Sequence, residues 1–179
     1  MKRRRGVFPG SFNPPTHAHI AIAAEARKCH GLDVVDLCLS RVTLAKEHVV
    51  RPTIDERAAV LRLVADQHGW LGVKVTDASL LAEIATGYDV VIMGADKWHQ
   101  IHDPAFYRTP EDRDAAIASL PAPAIVPRDG LHVPARHRLE LDAEYASVSS
   151  TAARRGRRDW MLPEARESGL WDDREDDGG

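Results

Sequence analysis

Hydrophobic and polar positions along the chain follow two periods in alternation. Val7 to Pro9 is a short β-branched and aromatic run that stops at a glycine turn, Gly10, as a first strand would. Residues 17 to 30 place Ile20, Ala23, Ala24 and Ala26 in a helical pattern, and Gly31 is the expected C-terminal stop. Val34 to Ser40 (VVDLCLS) alternates as a second strand. Thr53-Ile54-Asp55-Glu56 has the form of a capping box, and the helix it opens continues through Val60, Leu61 and Val64 toward Gly69. Leu71 to Thr76 reads as a third strand and Ala78 to Thr86 as a short helix stopped by Gly87. Val90 to Met93 is an unbroken apolar run, the mark of a strand buried on both faces. Glu111 to Leu120 is expected to be helical, Ala124 to Pro127 a strand and Arg138 to Leu141 a last strand. Ser149 or Ser150 caps a helix beginning at Thr151, and Pro163 takes the favoured first position of another.

Strands alternating with helices at this spacing predict an α/β fold: a doubly wound, Rossmann-like, mostly parallel sheet with helices on both faces and right-handed crossovers. One domain is expected over residues 1–171, with the acidic tail 172–179 disordered. Ligands of such a sheet sit beyond the carboxyl ends of its strands.

Composition narrows the partners. With 44% hydrophobic residues in 179, the chain can bury a sizeable core, and its formal net charge of −3 gives no bulk case for binding nucleic acid. Basic residues cluster at Lys2 to Arg5, read as a solvated surface, and again at Arg154, Arg155, Arg157 and Arg158. Cys29 and Cys38 form neither a disulfide framework nor a CxxC pair and are read as packing residues in a reducing compartment. No apolar leader follows the N-terminal charges and no run approaches a membrane span, so a cytoplasmic protein without a membrane partner is expected. His99 and His102 are spaced i, i+3, but the sequence specifies no third ligand, and no metal site is assigned to the chain. Neither GxGxxG nor GxxxxGK(S/T) occurs.

The chemistry concentrates in VFPGSFNPPTHAHI, residues 7 to 20. A strand that ends in a glycine turn and feeds a helix N-terminus aims free backbone N–H groups at one point, an arrangement that attracts phosphate. Thr16 adds a hydroxyl at the N-cap, and His19 adds a donor able to carry positive charge. VSSTAAR, residues 148 to 154, repeats the theme, with Ser149, Ser150, Thr151 and Arg154 converging at a second helix N-terminus, a set suited to a di- or triphosphate. Gly94-Ala95-Asp96 follows the buried strand, where glycine admits close backbone approach and a carboxylate can accept from ribose hydroxyls. Read singly, each is also what an ordinary capped helix or strand-to-helix turn would show.

Together they resemble a known family. GSFNPPTHAH is similar to the first signature of the HxGH/TxGH nucleotidyltransferases, G-(T/S)-F-(D/N)-P-x-(H/T)-x-G-H, with Ala18 where the family usually has glycine. VSSTAAR resembles the second signature, I-S-S-T-x-I-R, with Ala153 in place of isoleucine. VVIMGAD and Ile125-Val126-Pro127-Arg128 resemble the G-A-D turn and V-x-R strand of nicotinate and nicotinamide mononucleotide adenylyltransferases, as does Leu162-Pro163-Glu164. Lys46 and Thr53-Ile54-Asp55-Glu56-Arg57 resemble the lysine and the (S/T)-x-x-E-R helix start found across adenylyltransferases, although the P-P-H-K of the nicotinate enzymes is missing. The matches run from residue 7 to 164 in the family's order.

The resemblance implies transfer of AMP from ATP to the phosphate of a mononucleotide, nicotinate or nicotinamide mononucleotide, with release of pyrophosphate, in NAD biosynthesis. His19, Thr16, Lys46 and Arg154 would be catalytic. Gly10, Ser11, Phe12, His19, Gly94, Asp96, Ser149, Ser150, Thr151 and Arg154 would bind ATP. Lys46 and one of Trp98, Phe106 and Tyr107 would meet the acceptor, and spacing does not choose among the aromatics. Mg²⁺ is expected on the ATP phosphates, and the family suggests a homo-oligomer. Two alternatives stay open. A phosphopantetheine adenylyltransferase is favoured by Pro9 and by Thr16 in place of histidine. A nucleotide-binding regulator that has lost activity would fit Ala18, Ala153 and the absent P-P-H-K.

Overall fold

The computed structural model describes residues 2–42, 51–128 and 130–172. Lys46 and the tail from residue 173 lie outside them.

Five strands, β1 (Arg5–Pro9), β2 (Val34–Ser40), β3 (Leu71–Thr76), β4 (Val90–Gly94) and β5 (Ala122–Val126), form one parallel sheet in the order β3-β2-β1-β4-β5. Side-chain alternation assigns its faces. Phe8, Val35, Leu37, Leu39, Val90, Ile92 and Ala124 point to the layer of α1 (His17–His30) and α2 (Ile54–Asp66), where they meet Ala23, Ala26, Ala58, Leu61 and Val64. Val7, Cys38, Val91, Met93 and Ile125 point the other way, toward Leu81 and Ile84 of α3 (Leu81–Ile84) and Ala95 of α4 (Ala95–Gln100). Val90–Met93 is buried throughout, as its unbroken run predicts. The remaining helices are α5 (Pro110–Ala118), α6 (Ser150–Arg154) and α7 (Pro163–Glu167).

Local signals explain most boundaries. Gly31 takes a left-handed conformation (φ 59°) and its N–H caps Arg27 O. Thr53 and Glu56 close a reciprocal box, Thr53 N–H donating to Glu56 Oε2 at 2.6 Å and Glu56 N–H to Thr53 Oγ1 at 3.2 Å.

Several expectations need correcting. The helix expected over 78–86 is reduced to α3: Leu80 is extended (φ −83°, ψ 138°), and before it Ala78 is tied into other contacts, its N–H donating to Thr76 Oγ1 at 3.2 Å and its carbonyl accepting from Ser40 Oγ at 2.6 Å. Ser149, whose Oγ accepts from Ala152 N–H, is the cap of α6, and the helix begins one residue earlier than expected. Arg138 to Leu141 is not a strand. A 3₁₀ turn at Ala135–His137 delivers the chain to β5 for a single rung, Leu139 N–H to Ile125 O at 2.8 Å, which is enough to bury Leu139. Cys38 is buried, but Cys29 is exposed, its thiol donating to Glu25. Among the described residues no helix is long and apolar enough to cross a membrane.

The strand order reverses direction between β1 and β4. Connections leave these neighbours toward opposite flanks of the sheet, and the crevice beyond their carboxyl ends is where such folds hold ligands. The turn 10–16 follows β1, and Gly94-Ala95-Asp96 follows β4.

Candidate active site

The turn between β1 and α1 is built by strain and anchoring. Phe12, 1% exposed, adopts φ 44°, a left-handed conformation rare for a residue with a side chain. Its ring meets Phe8 edge-on at 5.7 Å and His19 at 5.0 Å. A Cβ at Gly10 would lie 3.0 Å from that ring, so glycine lets the turn fold over its own phenylalanine.

Donors from distant segments take the carbonyls of this turn. Arg57 of α2, itself buried, donates from Nη1 to Ser11 O and from Nε to Pro52 O at 3.2 Å. Arg154 of α6 donates to Asn13 O, Ser150 Oγ to Pro14 O at 2.8 Å, and Leu162 N–H to Pro15 O at 3.1 Å. Trp171 Nε1 donates to Asn13 Oδ1 at 2.6 Å. With its carbonyls tied to the protein, the turn keeps its peptide dipoles fixed, which is what an anion-holding backbone requires. The two phosphate-type motifs, over a hundred residues apart in sequence, thus touch directly.

His19 sits in the first turn of α1 and takes the place of glutamate in a capping box. Its Nδ1 accepts from Thr16 N–H at 2.9 Å, with Thr16 Oγ1 at 2.9 Å from the same nitrogen. A ring that accepts at Nδ1 carries its proton on Nε2 when neutral. Burial, and secondarily the charge of Arg128, lowers the His19 pKa to about 4. At neutral pH the imidazole is therefore an uncharged Nε2–H donor, and the positive charge it is able to carry is absent. Thr16 is 1% exposed, so its polar groups serve His19 and do not face open solvent.

This arrangement has a measurable consequence. Between pH 6.5 and about 4, the unfolded chain protonates His19 and the folded one does not, so stability present above pH 6.5 is lost as pH falls through that window. His30 and His137, also lowered chiefly by burial, push the same way. Urea unfolding midpoints are expected to fall less steeply from pH 6.5 to 4.5 in His19→Asn than in wild type, since the other two histidines are common to both.

The remaining predicted residues distribute as follows. Gly94 caps α4, with open space where a Cβ would stand. Asp96 is exposed and lies 3.6 Å from Arg128, which follows β5. Ser11, Thr151 and Arg154 are exposed, and Ser149 is half-buried. Trp98 packs between His102 (4.5 Å) and His137 (5.9 Å). Phe106 is exposed, whereas Tyr107 donates its hydroxyl to Ile101 O at 2.9 Å and lines an apolar pocket with Leu81 and Ile117. His99 donates to His132 O and His102 to Trp98 O. Among the described residues no three His, Cys, Asp or Glu side chains converge as metal ligands. Sequence reasoning gave no role to Trp171, and it placed Arg57 only in a resembling helix start and Arg128 only in a resembling strand. For Arg57 the sequence carries a second signal, a cation on a capped helix where an apolar residue would pack.

A probable nicotinate-nucleotide adenylyltransferase of Ruegeria pomeroyi is 34% identical over 109 residues, 54% of this chain and 50% of that protein. One of the same description from Roseobacter denitrificans is 32% identical over 142 residues, 73% of this chain and 67% of that protein. The alignment to the first thus spans half of the relative's length. A Plasmodium falciparum nicotinic acid mononucleotide adenylyltransferase complexed with NaAD superposes with a TM-score of 0.65, covering 96% of this chain and 98% of that one at 12% identity, a likeness of fold. The cytidylyltransferase-like family model matches residues 7–156. This chain belongs to the cytidylyltransferase-like family.

Proposed function

We propose that the protein transfers the adenylyl group of ATP to the phosphate of nicotinate mononucleotide, releasing pyrophosphate, in NAD biosynthesis. The observation that carries this reading is the direct junction of the turn at 10–16 with α6, through Arg154 on Asn13 O and Ser150 on Pro14 O. The relatives' descriptions as nicotinate-nucleotide adenylyltransferases favour this acceptor.

An oxygen of the acceptor phosphate attacks the α-phosphorus of ATP. A new P–O bond forms as the bond to the β-phosphate oxygen breaks, and pyrophosphate leaves with that electron pair. The acceptor oxygen is already ionised near neutral pH, so no general base is required, and catalysis reduces to alignment and charge neutralisation. His19 Nε2–H donates to an α-phosphate oxygen as negative charge grows there, with Thr16 holding the ring. Arg154, with the hydroxyls of Ser149 and Thr151, receives the β- and γ-phosphates. Ser150 acts differently from the sequence expectation, since its hydroxyl proton is committed to Pro14 O. Lys46, outside the described residues, is assigned to the phosphates of both substrates on its sequence position alone. Gly94 and Asp96 belong to the nucleotide side of the crevice, and Trp98 or Phe106 to the acceptor ring. Mg²⁺, expected on the ATP phosphates without a ligand set from the chain, would supply charge neutralisation there, while Arg154, Ser149 and Thr151 hold the β- and γ-phosphates.

Pyrophosphate release measured with ATP and a panel of nicotinate mononucleotide, nicotinamide mononucleotide and phosphopantetheine tests the reading. Turnover is expected with the first at a kcat/KM at least about tenfold above the others, a discrimination of roughly 1.4 kcal/mol. Turnover with phosphopantetheine alone, or with none of them, overturns it.

A further inference from the structure

Near the end of the described chain, Trp171 returns to the turn that opens it. Its ring is buried, 9% exposed, against Val60, Ala153, Met161 and Ala165. Its Nε1–H donates to Asn13 Oδ1 at 2.6 Å across 158 residues of sequence. The chain there is held in turn: Arg158 donates to Trp171 O at 3.3 Å and pairs with Asp172.

Asn13 is 7% exposed and joins two networks. Its backbone carbonyl receives Arg154, while its side-chain oxygen receives Trp171. An indole N–H only donates, so the oxygen of the Asn13 amide must face Trp171, and one side-chain orientation is selected. Packing alone would accept phenylalanine in this cluster. What phenylalanine lacks is the donor, and its loss would leave a buried acceptor unpaired beside a left-handed Phe12 and the Arg154 contact.

We propose that Trp171 is a positioning residue for nucleotide binding: by donating to Asn13 Oδ1 it fixes the turn at residues 10–16 and, through Asn13, the seat of Arg154. The role rests on the adenylyltransferase reading for its ligand, but the clamp itself acts in the free protein. The C-terminal strap therefore sets how tightly ATP is held without touching it.

Trp171→Phe keeps the ring and removes the N–H. Calorimetric titration with ATP is expected to show roughly 5- to 20-fold weaker binding in Trp171→Phe, the loss associated with one buried hydrogen bond. In a pyrophosphate-release assay, the KM for ATP is expected to rise by a like factor while kcat changes by less than about threefold. Because Trp171 acts through Asn13, the double variant Asn13→Ala, Trp171→Phe is expected to bind no worse than Asn13→Ala, whereas independent roles would multiply. Hydrogen exchange of the amides of Gly10 to Asn13 and of Thr16 reads the clamp without any ligand and is expected to quicken in Trp171→Phe, with amides of β2 and β4 unchanged. Unaltered exchange in the turn, or unaltered ATP affinity, overturns the proposal, and so do multiplicative effects in the double variant. A wild-type protein that binds no ATP, yet shows faster exchange in Trp171→Phe, overturns the nucleotide half together with the adenylyltransferase reading and leaves the clamp standing as architecture.

Discussion

His19→Ala is expected to lower kcat for pyrophosphate release roughly 10²- to 10³-fold, the usual cost of removing one preorganised donor from a developing oxyanion. The imidazole is held from behind by Thr16 N–H, pressed by the Phe12 ring and uncharged at neutral pH, so its Nε2–H is aimed before substrate arrives. Part of any loss could come from the helix start, since alanine leaves Thr16 N–H without its acceptor, a capping defect worth about 1 kcal/mol. His19→Asn separates the two effects. Its amide oxygen can take over the cap, so stability is expected to recover toward wild type while turnover stays low. Arg154→Ala is expected to act chiefly on ATP, because it removes both the charge and the bond to Asn13 O that joins α6 to the turn. A His19→Ala enzyme that retains more than half of wild-type turnover removes this residue from the chemistry.

The sheet and its helices were legible because short-range signals set them. Gly31 in a left-handed conformation, the Thr53–Glu56 box and the all-apolar Val90–Met93 need no tertiary knowledge to interpret. The meeting of the two phosphate motifs was legible through their resemblance to two signatures of one family, since the strand expected at Arg138 to Leu141, which would have led VSSTAAR to a carboxyl end, does not form. What escaped was long-range hydrogen bonding. Nothing near Ala78 in sequence announces that Ser40 will donate to its carbonyl. The isolated bridge at Arg138 needs β5 in place before it exists. Thr16 was legible as a cap but not as 1% exposed, since burial of a capping hydroxyl depends on what the Met161 segment lays over it. The basic run at Lys2 to Arg5, read as solvated, is so only in part. Arg5 leaves it to pair with Asp36 of the neighbouring strand, and the aspartate inside VVDLCLS is the sequence feature that could have foretold this.

Gly72→Ala is expected to destabilise the fold by about 1.5–3 kcal/mol, the range for losing hydrogen bonds to a charged group. Gly72 pairs in register with Asp36, and a Cβ there would stand 2.1 Å from Asp36 Oδ1. The carboxylate is a short side chain with little freedom to move. It is 7% exposed, and its Oδ2 accepts from the Tyr88 hydroxyl at 2.7 Å and from Arg5. Burial first, and then this bond, raises the Tyr88 pKa, so the phenol remains a donor throughout the accessible pH range. The Arg5 guanidinium lies 4.9 Å from the Tyr88 ring centroid, and Lys74 approaches the same ring at 5.4 Å. Swinging Asp36 away from a new methyl group would withdraw the acceptor from Tyr88 while bringing no replacement. Arg5 loses less, because its side chain is 49% exposed and water can take over. The mechanism makes the effect conditional on Asp36. In an Asp36→Ala background the methyl group meets no carboxylate, and alanine also narrows the unfolded ensemble relative to glycine, so Gly72→Ala is expected to be neutral or mildly stabilising there. Urea unfolding of the four proteins in this cycle measures the difference. A Gly72→Ala penalty that persists undiminished after Asp36 is removed would assign the requirement for glycine to the strand backbone instead of the carboxylate opposite it.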